Sequence, residues 1–533
     1  MSITITPQTS IVLCKTQLEN DYKNTFKFNN KTAQMNYFNS LNNKIVAGED
    51  YTYIKKDNII KVNKPIDEII NYNYLYYTNT GFTNKTYFCF INDMKYINEN
   101  LTELSIETDV FQTWQFDLVW NRCYVEREHT NDDTIGANTI PELLETGEYI
   151  INTVDSVLND LSLGIIVIAA SDVAGGITRY EDRRYNNIYS GDMYYAFTSS
   201  EDATRFIEIY ERAGRVEAIN NMFLVPSSLS ENLIIDYTSV TYEGITCNYG
   251  KIRASSYAII QDQKQISMQT TLNGYSPRNN KLKCYPYNFI EITNNCGGSV
   301  IYKYELFNGT PKFNVDGCIS PGCDIRMYPL NYNKINDVTI GQSGIKYGFN
   351  DGINAGKFPV CSWNTDVYIN WLTQTSANRN FGVFNDVLQS VGSMATGDLN
   401  GAVGGIKNIF GTAAQMIDQR KIPDSTKGNT NNGDIAYATR NTLFQINKKS
   451  IKQEYARVID GYFDMFGYKT NRVKIPNITG RKNWNYVKCI DSNVDGDIPQ
   501  SDLQTIRNAM NFGITFWHNP ANIYNYNLSN SIV

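Results

Sequence analysis

Apolar and polar residues alternate along much of the first quarter of the chain, with the period of half-buried strands. The runs 59–62, 72–77, 86–91 and 101–110 show this alternation or are continuously apolar, and turn-forming residues separate them. Helical spacing of apolar residues is largely absent from this part of the chain. The pattern predicts an N-terminal β domain over residues 1–125.

A mixed pattern covers residues 126–290. The largely apolar stretch 161–170, with only about ten residues, is too short to cross a membrane and predicts a buried strand. A helix is predicted where Ser199 and Asp202 form a capping box, and Gly214 marks the end of this helix. We therefore expect a mixed α/β domain here.

Turn sequences are dense between residues 291 and 370 and predict a domain rich in β-hairpins. The last part of the chain, 435–533, returns to the pattern of compact structure. One helix is predicted there over Lys449–Phe466. Another begins at Ser501, because Ser501 and Gln504 fit the S-x-x-Q pattern of a capping box.

The pattern changes between Phe381 and Ile417, where the chain is apolar, rich in glycine and alanine, and carries few charges. Large apolar residues recur here at helical spacing, which predicts two short helices joined at residues 396–400. A polar, turn-rich limb, 423–434, follows and is expected to be flexible. Together these stretches form a separate predicted region, 371–434.

Two hypotheses fit an apolar segment of this length. Burial as an ordinary helical hairpin is the commoner fate, but each glycine weakens a core helix by about 1 kcal/mol relative to alanine. A helix from Leu399 to Ile417 would be about 28 Å long at about 1.5 Å per residue, close to the ~30 Å hydrocarbon core of a bilayer. Membrane insertion is therefore the second hypothesis.

Composition and charge limit the possible functions. The formal net charge of -6 and the isoelectric point of about 5.3 argue against tight, sequence-independent DNA binding, which needs clustered Lys and Arg. No basic region precedes an apolar stretch at the N-terminus, so no signal peptide is predicted and we expect folding in the cytoplasm. The 10 cysteines are scattered, which favours free thiols over a disulfide framework.

No residue pattern predicts catalysis, a metal site or a cofactor. The 2 histidines, His129 and His518, are far apart in the sequence and are expected to be structural. Cys318 and Cys323 lack the second ligand pair that a zinc site needs. We therefore expect a protein that is not an enzyme.

One near-match to a calcium-binding loop runs from Asp491 to Asp502. Oxygen-bearing side chains fall at the ligand positions of an EF-hand, but the last of these is Asp502 rather than a bidentate Glu, and Pro499 occupies position nine. A turn that leads into the final helix is the favoured interpretation. Calcium binding is the alternative.

An ordered set of segments resembles one protein family. The segments are 20–25 (NDYKNT), 109–117 (DVFQTWQFD), 124–130 (YVEREHT), 281–293 (KLKCYPYNFIEIT), 462–477 (YFDMFGYKTNRVKIPN) and 496–518 (GDIPQSDLQTIRNAMNFGITFWH). They are similar to the tail knob, or distal tail tube, proteins of small short-tailed phages of Gram-positive bacteria, typified by the small Bacillus podophages. The matching segments lie in the N-terminal quarter, a central patch and the C-terminal hundred residues.

The resemblance implies a mainly β fold with a few helices (α+β), made of several β-barrel or sandwich-like tube domains plus a mobile apolar loop. It implies a homo-hexameric tube at the distal tip of the virion tail, synthesised in the host cytoplasm. Residues 1–125 would form a tube domain that 435–533 completes, and 126–290 would lie outside. The implied partners are other tail proteins, the host membrane, and phage DNA that passes through the lumen without sequence-specific binding.

In this family an apolar loop first plugs the lumen and later forms a pore in the host membrane, and 381–417 occupies the corresponding place. The residues that the resemblance assigns to the plug and to insertion are Phe381, Val383, Phe384, Val387, Leu388, Val391, Met394, Leu399, Val403, Ile406, Ile409, Phe410, Met416 and Ile417. Two other functions stay open. One is a receptor-binding or cell-wall-degrading tail tip whose aromatic surface grips glycans. The other is a secreted pore-forming toxin, which the missing signal peptide disfavours.

Overall fold

The computed structural model describes residues 9–46, 51–54, 58–79, 85–157, 165–178, 184–185, 188–189, 192–225, 234–252, 259–294, 297–318, 325–334, 351–355, 360–364 and 444–533. The chain forms two compact units. Unit 1 comprises Met1–Thr146, Pro277–Leu282 and Gln453–Val533, and unit 2 comprises Gly147–Ser276 and Lys283–Lys452. Strands predominate in both units and helices are few, which confirms the mainly β fold. The finer division into five regions stays a prediction.

The N-terminal part of unit 1 contributes ten strands and three short helices. The strands are β1 (Thr9–Cys14), β2 (Asn24–Phe26), β3 (Lys44–Val46), β4 (Tyr51–Ile54), β5 (Ile59–Val62), β6 (Tyr74–Asn79), β7 (Thr86–Asn98), β8 (Leu101–Thr108), β9 (Leu118–Trp120) and β10 (Cys123–Glu128). The helices are α1 (Lys31–Ser40), α2 (Ile66–Ile69) and α3 (Val110–Trp114). Seven strands form one sheet in the order β3-β1-β6-β7-β8-β5-β4. The predicted strand pattern of this region is confirmed, and the short helices are additions to it.

Unit 2 contributes the next sixteen strands and the helix α4 (Ser200–Arg212). The strands are β11 (Tyr149–Val157), β12 (Ile165–Ala170), β13 (Arg184–Tyr185), β14 (Ile188–Tyr189), β15 (Met193–Phe197), β16 (Ile219–Val225), β17 (Ile234–Tyr242), β18 (Ile245–Ile252), β19 (Ile259–Gln265), β20 (Asn288–Thr293), β21 (Ser299–Tyr302), β22 (Lys312–Cys318), β23 (Ile325–Pro329), β24 (Ile353–Asn354), β25 (Val360–Asn364) and β26 (Phe444–Ile451). Among the described residues they form sheets in the orders β17-β18-β15-β12-β16-β25, β11-β26-β20-β21, β19-β22-β23-β24 and β13-β14.

The C-terminal part of the chain returns to unit 1. It contains α5 (Gln453–Phe466), β27 (Tyr468–Lys474), β28 (Trp484–Ile490), β29 (Val494–Gly496), α6 (Gln500–Phe512) and β30 (Ile514–Trp517). These strands join N-terminal ones in the sheet β2-β30-β28-β10-β27 and in the pair β29-β9. β10 therefore lies between two strands that come from the far end of the sequence.

Each unit has its own apolar core. In unit 1, side chains from α1, α3, α6 and the five-stranded sheet pack together around residues such as Phe38, Trp484 and Trp517. In unit 2, the core surrounds β12, in which every residue from Ile165 to Ala170 is buried, as the apolar run predicts. α4 packs Phe206 into the same core.

α4 shows how local sequence sets a helix. Ser199 caps it by accepting a hydrogen bond from the backbone N–H of Glu201, and Gly214, at φ +67°, follows its end. The helix and its ends are confirmed. Asp202, however, does not complete a capping box, because its carboxylate accepts the backbone N–H of Asn248 at 3.0 Å.

Two predicted helix starts are wrong. The stretch from Lys449 to Ile451 belongs to β26, because these residues pair with β11 on one side and β20 on the other, and α5 begins only at Gln453. α6 begins at Gln500 behind Pro499, which makes no side-chain cap. Ser501 lies inside the helix, where its hydroxyl donates to the Asp502 carboxylate.

A buried ionic cluster lies within unit 1. The Glu142 carboxylate pairs with the Arg127 guanidinium and, at 2.6 Å, with the Lys281 ammonium, and all three side chains are largely buried. One of its oxygens also accepts the backbone N–H of Lys469 at 2.9 Å. The Arg127 guanidinium donates in addition to the carbonyl oxygen of Gly467 at 2.7 Å. The Glu142 carboxylate therefore pairs with groups from three other stretches of the chain.

Asp109 is a second buried carboxylate, at the N-terminus of α3. Its oxygens accept the backbone N–H groups of Phe111 and Gln112 and, at 2.9 Å, the hydroxyl of Tyr74. Burial raises the pKa of Asp109 to about 6, although these hydrogen bonds favour the charged form. The folded chain therefore holds a proton on Asp109 more tightly than the unfolded chain does.

A raised folded-state pKa makes stability fall as pH rises between about 4 and about 6. The expected contribution of Asp109 is a loss of at most about 3 kcal/mol in the free energy of unfolding across this window. Urea unfolding at a series of pH values should show Asp109→Asn gaining stability relative to the parent as pH rises. Asp93→Asn, an exposed carboxylate on β7, is the matched control. Parallel pH curves for the parent and Asp109→Asn would contradict the assignment.

Candidate assembly surface

The predicted plug residues, from Phe381 to Ile417, all lie outside the described residues, as do both predicted helices and the limb 423–434. The structure therefore does not test them. The described strands that precede and follow this segment in the sequence are β25 and β26. Both strands belong to unit 2. No helix within the described residues is long and apolar enough to cross a membrane.

The four-stranded sheet that contains β26 has two strand edges that pair with no other strand among the described residues, β11 and β21. One face of this sheet contributes Ile290, Ile292 and Ile446 to the core of unit 2. Every second residue of β20, β21 and β26 reaches the opposite face. A bulge between Ile151 and Thr153 of β11 places Ile151 and Val154 on this face together. We call this second face the assembly surface. Its residues include Ile151, Val154, Glu291, Ile301, Asn447 and Lys449.

Apolar side chains are exposed at both edges of the assembly surface. On β11, Ile151 and Val154 are each 49% exposed, and Tyr149 lies on the same face. On β21, Ile301 is 44% exposed. The register places Val154 and Ile301 at opposite ends of one cross-strand row, through Asn447 and Glu291. The two edges therefore present similar chemistry to solvent.

The middle of the assembly surface is polar, and its charged groups pair with each other. The Lys449 ammonium forms an ion pair with the Glu291 carboxylate across β26 and β20. Lys448, whose side chain serves the other face, donates to the hydroxyl of Ser267 at 2.9 Å. Paired charges in the middle and bare apolar groups at the edges favour contact at the edges, because exposed, unpaired strands readily accept a further strand.

A second exposed apolar row lies in unit 1. Tyr124 on β10 pairs with Val473 on β27 and with Ile490 on β28, and all three side chains are exposed. β27 is the outermost strand of its sheet. This row gives unit 1 an apolar sheet edge of its own.

Sequence analysis did not identify these edges. The segment 149–157 does not alternate regularly, because β11 has a bulge between Ile151 and Thr153. Its pattern along the chain does not show which strand ends a sheet or which face meets solvent. A signal was present in the number of large apolar residues on both faces of β11. That pattern fits a strand with one face in the core and the other in an interface.

Both histidines are structural. The buried His129 ring donates from Nε2 to the carbonyl oxygen of Asp464 at 2.9 Å and accepts the backbone N–H of Tyr486 at Nδ1. Burial lowers the pKa of His129 to about 3 and that of His518 to about 4, so both rings stay neutral near pH 7.

The calcium-like segment folds as a strand followed by a helix. The Asp495 carboxylate binds Asn121 at 2.6 Å and Arg507 at 3.3 Å, and Asp502 accepts the indole N–H of Trp114 at 2.8 Å. These carboxylates are thus used by different neighbours. Within the described ranges, no group of three or more His, Cys, Asp or Glu side chains could hold a metal ion. The cysteines at 14, 89, 123, 247, 284 and 489 are buried and form no disulfide among the described residues.

Comparison with known proteins finds similarity to phage tail proteins. A family model of the C-terminal domain of the tail knob protein gp9 of Bacillus phage phi29 matches residues 248–531, and a model of the caudoviral major tail protein N-terminus matches residues 7–119. The chain is 27% identical to the tail knob protein gp9 of Bacillus phage B103, with 96% of each chain covered. It is 25% identical to gp9 of phage phi29, with 98% of each covered.

A solved structure resembles the whole fold. The tail knob protein gp12 of bacteriophage C1 superimposes with a TM-score of 0.67 at 16% identity, covering 98% of this chain and 100% of that one. At this identity the likeness shows the fold alone. The gp9 C-terminal-domain model, in contrast, covers more than half of the 533 residues. The chain therefore belongs to the phage tail knob protein family.

Proposed function

We propose that this protein is a structural component of a phage virion that assembles as a homo-hexameric channel at the distal tip of the tail. The observation that carries the proposal is the assembly surface, a sheet with two unpaired edges and exposed apolar side chains at both. A tail protein has to associate with further copies or with other tail proteins, and such edges are suited to that. The protein is a structural protein and not an enzyme.

The two edges differ in sequence, so contact between them is head to tail. β21 of one copy would add to β11 of the next copy and continue the sheet across the subunit boundary. A head-to-tail contact closes into a ring when the rotation per copy divides a full turn, and six copies complete the proposed ring. Burial of Ile151, Val154 and Ile301 would stabilise each junction, by about 25 cal/mol per Å² of apolar area removed from water.

The channel is proposed to pass phage DNA without sequence-specific binding. The net charge of -6 disfavours strong attraction between the protein and a phosphate backbone. Weak attraction suits a conduit, because tight contacts would slow the passage of DNA. Adjoining tail proteins are the further proposed partners, and the host cytoplasm is the proposed place of synthesis.

The apolar segment 381–417 is proposed to plug the lumen first and to insert into the host membrane later. Its composition and its position between β25 and β26 support this role. Buried in a closed channel, an apolar surface of this size would not cause the virions to aggregate. Exposed to a bilayer, the stretch from Leu399 to Ile417 would be about 28 Å long as a helix, close to the ~30 Å apolar core.

Negative-stain electron microscopy of the purified protein tests the channel. Rings with six-fold symmetry are the expected result for the parent protein. Ile151→Glu and Ile301→Glu each place a carboxylate at the proposed junction. Each should lower the association constant at least about tenfold, because an unpaired charge would be desolvated there.

Ile70→Glu is the matched control, since Ile70 is an exposed apolar residue at the end of α2 in unit 1. Its rings should match those of the parent in number and diameter. A parent protein that stays monomeric at all concentrations contradicts the hexamer. Rings that neither junction substitution weakens contradict the assignment of the edges.

A further inference from the structure

A cavity of about 740 Å³ opens in unit 1 between α6, the loop that precedes β2, β28 and the C-terminal residues. This volume lies in the range of small-molecule sites, roughly 300–1,000 Å³. No residue of the assembly surface and no residue of 381–417 is among those that line it. Its walls combine aromatic rings with polar groups at the rim.

Five aromatic residues line the cavity, and one of them, Tyr22, also belongs to the core of unit 1. Phe466, Tyr486 and Tyr526 line the cavity, and the rings of Phe466 and Tyr486 meet edge to face with centroids 5.1 Å apart. Phe512 also lines it and is 84% exposed. Such an exposed phenyl ring offers a flat apolar face to a ligand at the entrance of the cavity.

The turn after α6 fixes this wall. Gly513 has φ +101°, and a Cβ at this position would lie 2.1 Å from the hydroxyl oxygen of Tyr486. Only glycine allows both the backbone conformation and the close approach of the tyrosine. The backbone next to Phe512 is thus held against Tyr486, and the two side chains belong to one wall.

Hydrogen-bonding groups lie next to the exposed ring. Asn508 precedes Phe512 by one helical turn on α6, so its side chain neighbours the ring on the same helix face. The side-chain oxygen of Asn508 accepts from Gln504 at 2.9 Å, which leaves the amide hydrogens for a ligand or water. The hydroxyl of Thr505 donates to the carbonyl oxygen of Ser501 and retains its capacity to accept.

The charges at the rim cancel. The ammonium group of Lys23 lies 2.8 Å from the carboxylate of Asp21, and this carboxylate also accepts the backbone N–H of Lys23. An anionic polymer would meet Asp21 as well as Lys23 and would gain little. An entirely apolar ligand would leave the amide of Asn508 without a partner.

We propose that this cavity binds a neutral oligosaccharide. A sugar ring has one face of C–H groups and an edge of hydroxyls, which matches the ring of Phe512 beside the amide of Asn508. The C–H face packs on Phe512, the hydroxyls bond with Asn508 and Asp21, and neighbouring sugar units contact Tyr486 and Tyr526. This binding site goes beyond the proposed channel and does not require the ring to form.

Saturation-transfer-difference NMR with the full-length protein and chitotriose, the neutral trimer of N-acetylglucosamine, tests the site. Transfer to the sugar protons is expected for the parent protein. Phe512→Ala should weaken binding about two- to tenfold, because the variant loses the aromatic contact with the sugar ring. Phe512 is largely exposed, so the variant should keep the unfolding midpoint of the parent. Asn508→Ala should weaken binding to a similar extent.

Tyr96→Ala is the matched control, because Tyr96 is an exposed aromatic residue on β7 that does not line the cavity. Its binding should equal that of the parent. Maltotriose serves as a second neutral trisaccharide, and absence of saturation transfer to both sugars overturns the proposal. Equal weakening of sugar binding by Phe512→Ala and Tyr96→Ala also overturns it. Displacement of chitotriose by poly(glycerol phosphate) at lower concentration overturns the neutral ligand class. A sample that forms no rings leaves this assay intact, so the two proposals can fail separately.

Discussion

Replacing residues 381–417 by a short Gly-Ser linker is expected to abolish release of dye from liposomes by the purified protein. The reason is that the fourteen large apolar side chains assigned to the plug and to insertion all lie in this stretch. Among the described residues, no helix is long and apolar enough to cross a bilayer in their place. Fluorescence of a self-quenched dye, followed at neutral and mildly acidic pH, measures the effect.

A second variant keeps the chain length. Val403→Asp combined with Ile409→Asp should reduce release at least about tenfold, because each carboxylate costs about 2.5–3.5 kcal/mol at the centre of a membrane helix. Asn429→Asp, which adds a charge in the polar limb 423–434 outside the proposed membrane helix, is the control and should release dye as the parent does. Undiminished release by the linker variant would exclude this segment as the membrane-active part.

Glu142→Gln is expected to lower the free energy of unfolding by about 3–5 kcal/mol. The substitution leaves the Arg127 guanidinium and the Lys281 ammonium buried beside a neutral amide, and an uncompensated buried charge carries a penalty of this size. The amide group also has to turn its own donor away from both cations. Urea unfolding monitored by tryptophan fluorescence gives the difference.

Glu145→Gln removes an exposed carboxylate three residues away and should change stability by less than about 0.5 kcal/mol. Lys281→Met in the Glu142→Gln background should recover part of the loss, because it removes one of the stranded cations. A double-mutant cycle then isolates the coupling between the two side chains. A loss below about 1 kcal/mol for Glu142→Gln would show that water or another group compensates the cluster.

The features predicted correctly from sequence are those that local chemistry decides. α4 has an N-cap serine, amphipathic spacing and a glycine at its end, and the structure has the same helix. The apolar run at Ile165–Ala170 is a buried strand because too few residues are available for a buried helix. In both cases the residues that specify the element lie within a few positions of one another.

The errors have a different origin. The sequence pattern predicts a helix at Lys449. This residue instead lies in β26, because it pairs with two strands that are distant in the sequence. The exposed edges at Ile151 and Ile301, the Glu142 cluster and the cavity beside Phe512 depend in the same way on residues brought together by the fold. The local pattern of apolar and polar residues does not show contacts between residues that are distant in the sequence. The ordered segments shared with the family imply such contacts, because they imply the fold of the family.

The position of β10 between β27 and β28 has a consequence for synthesis. A ribosome delivers β10 more than three hundred residues before either of its neighbours, so this strand has no partner while unit 2 is being translated. All segments of unit 2 leave the ribosome before the segment that begins at Gln453, and unit 2 can complete its core first. An incomplete chain therefore lacks a finished unit 1, and a truncated product would be recognisable to proteases by its unpaired β10.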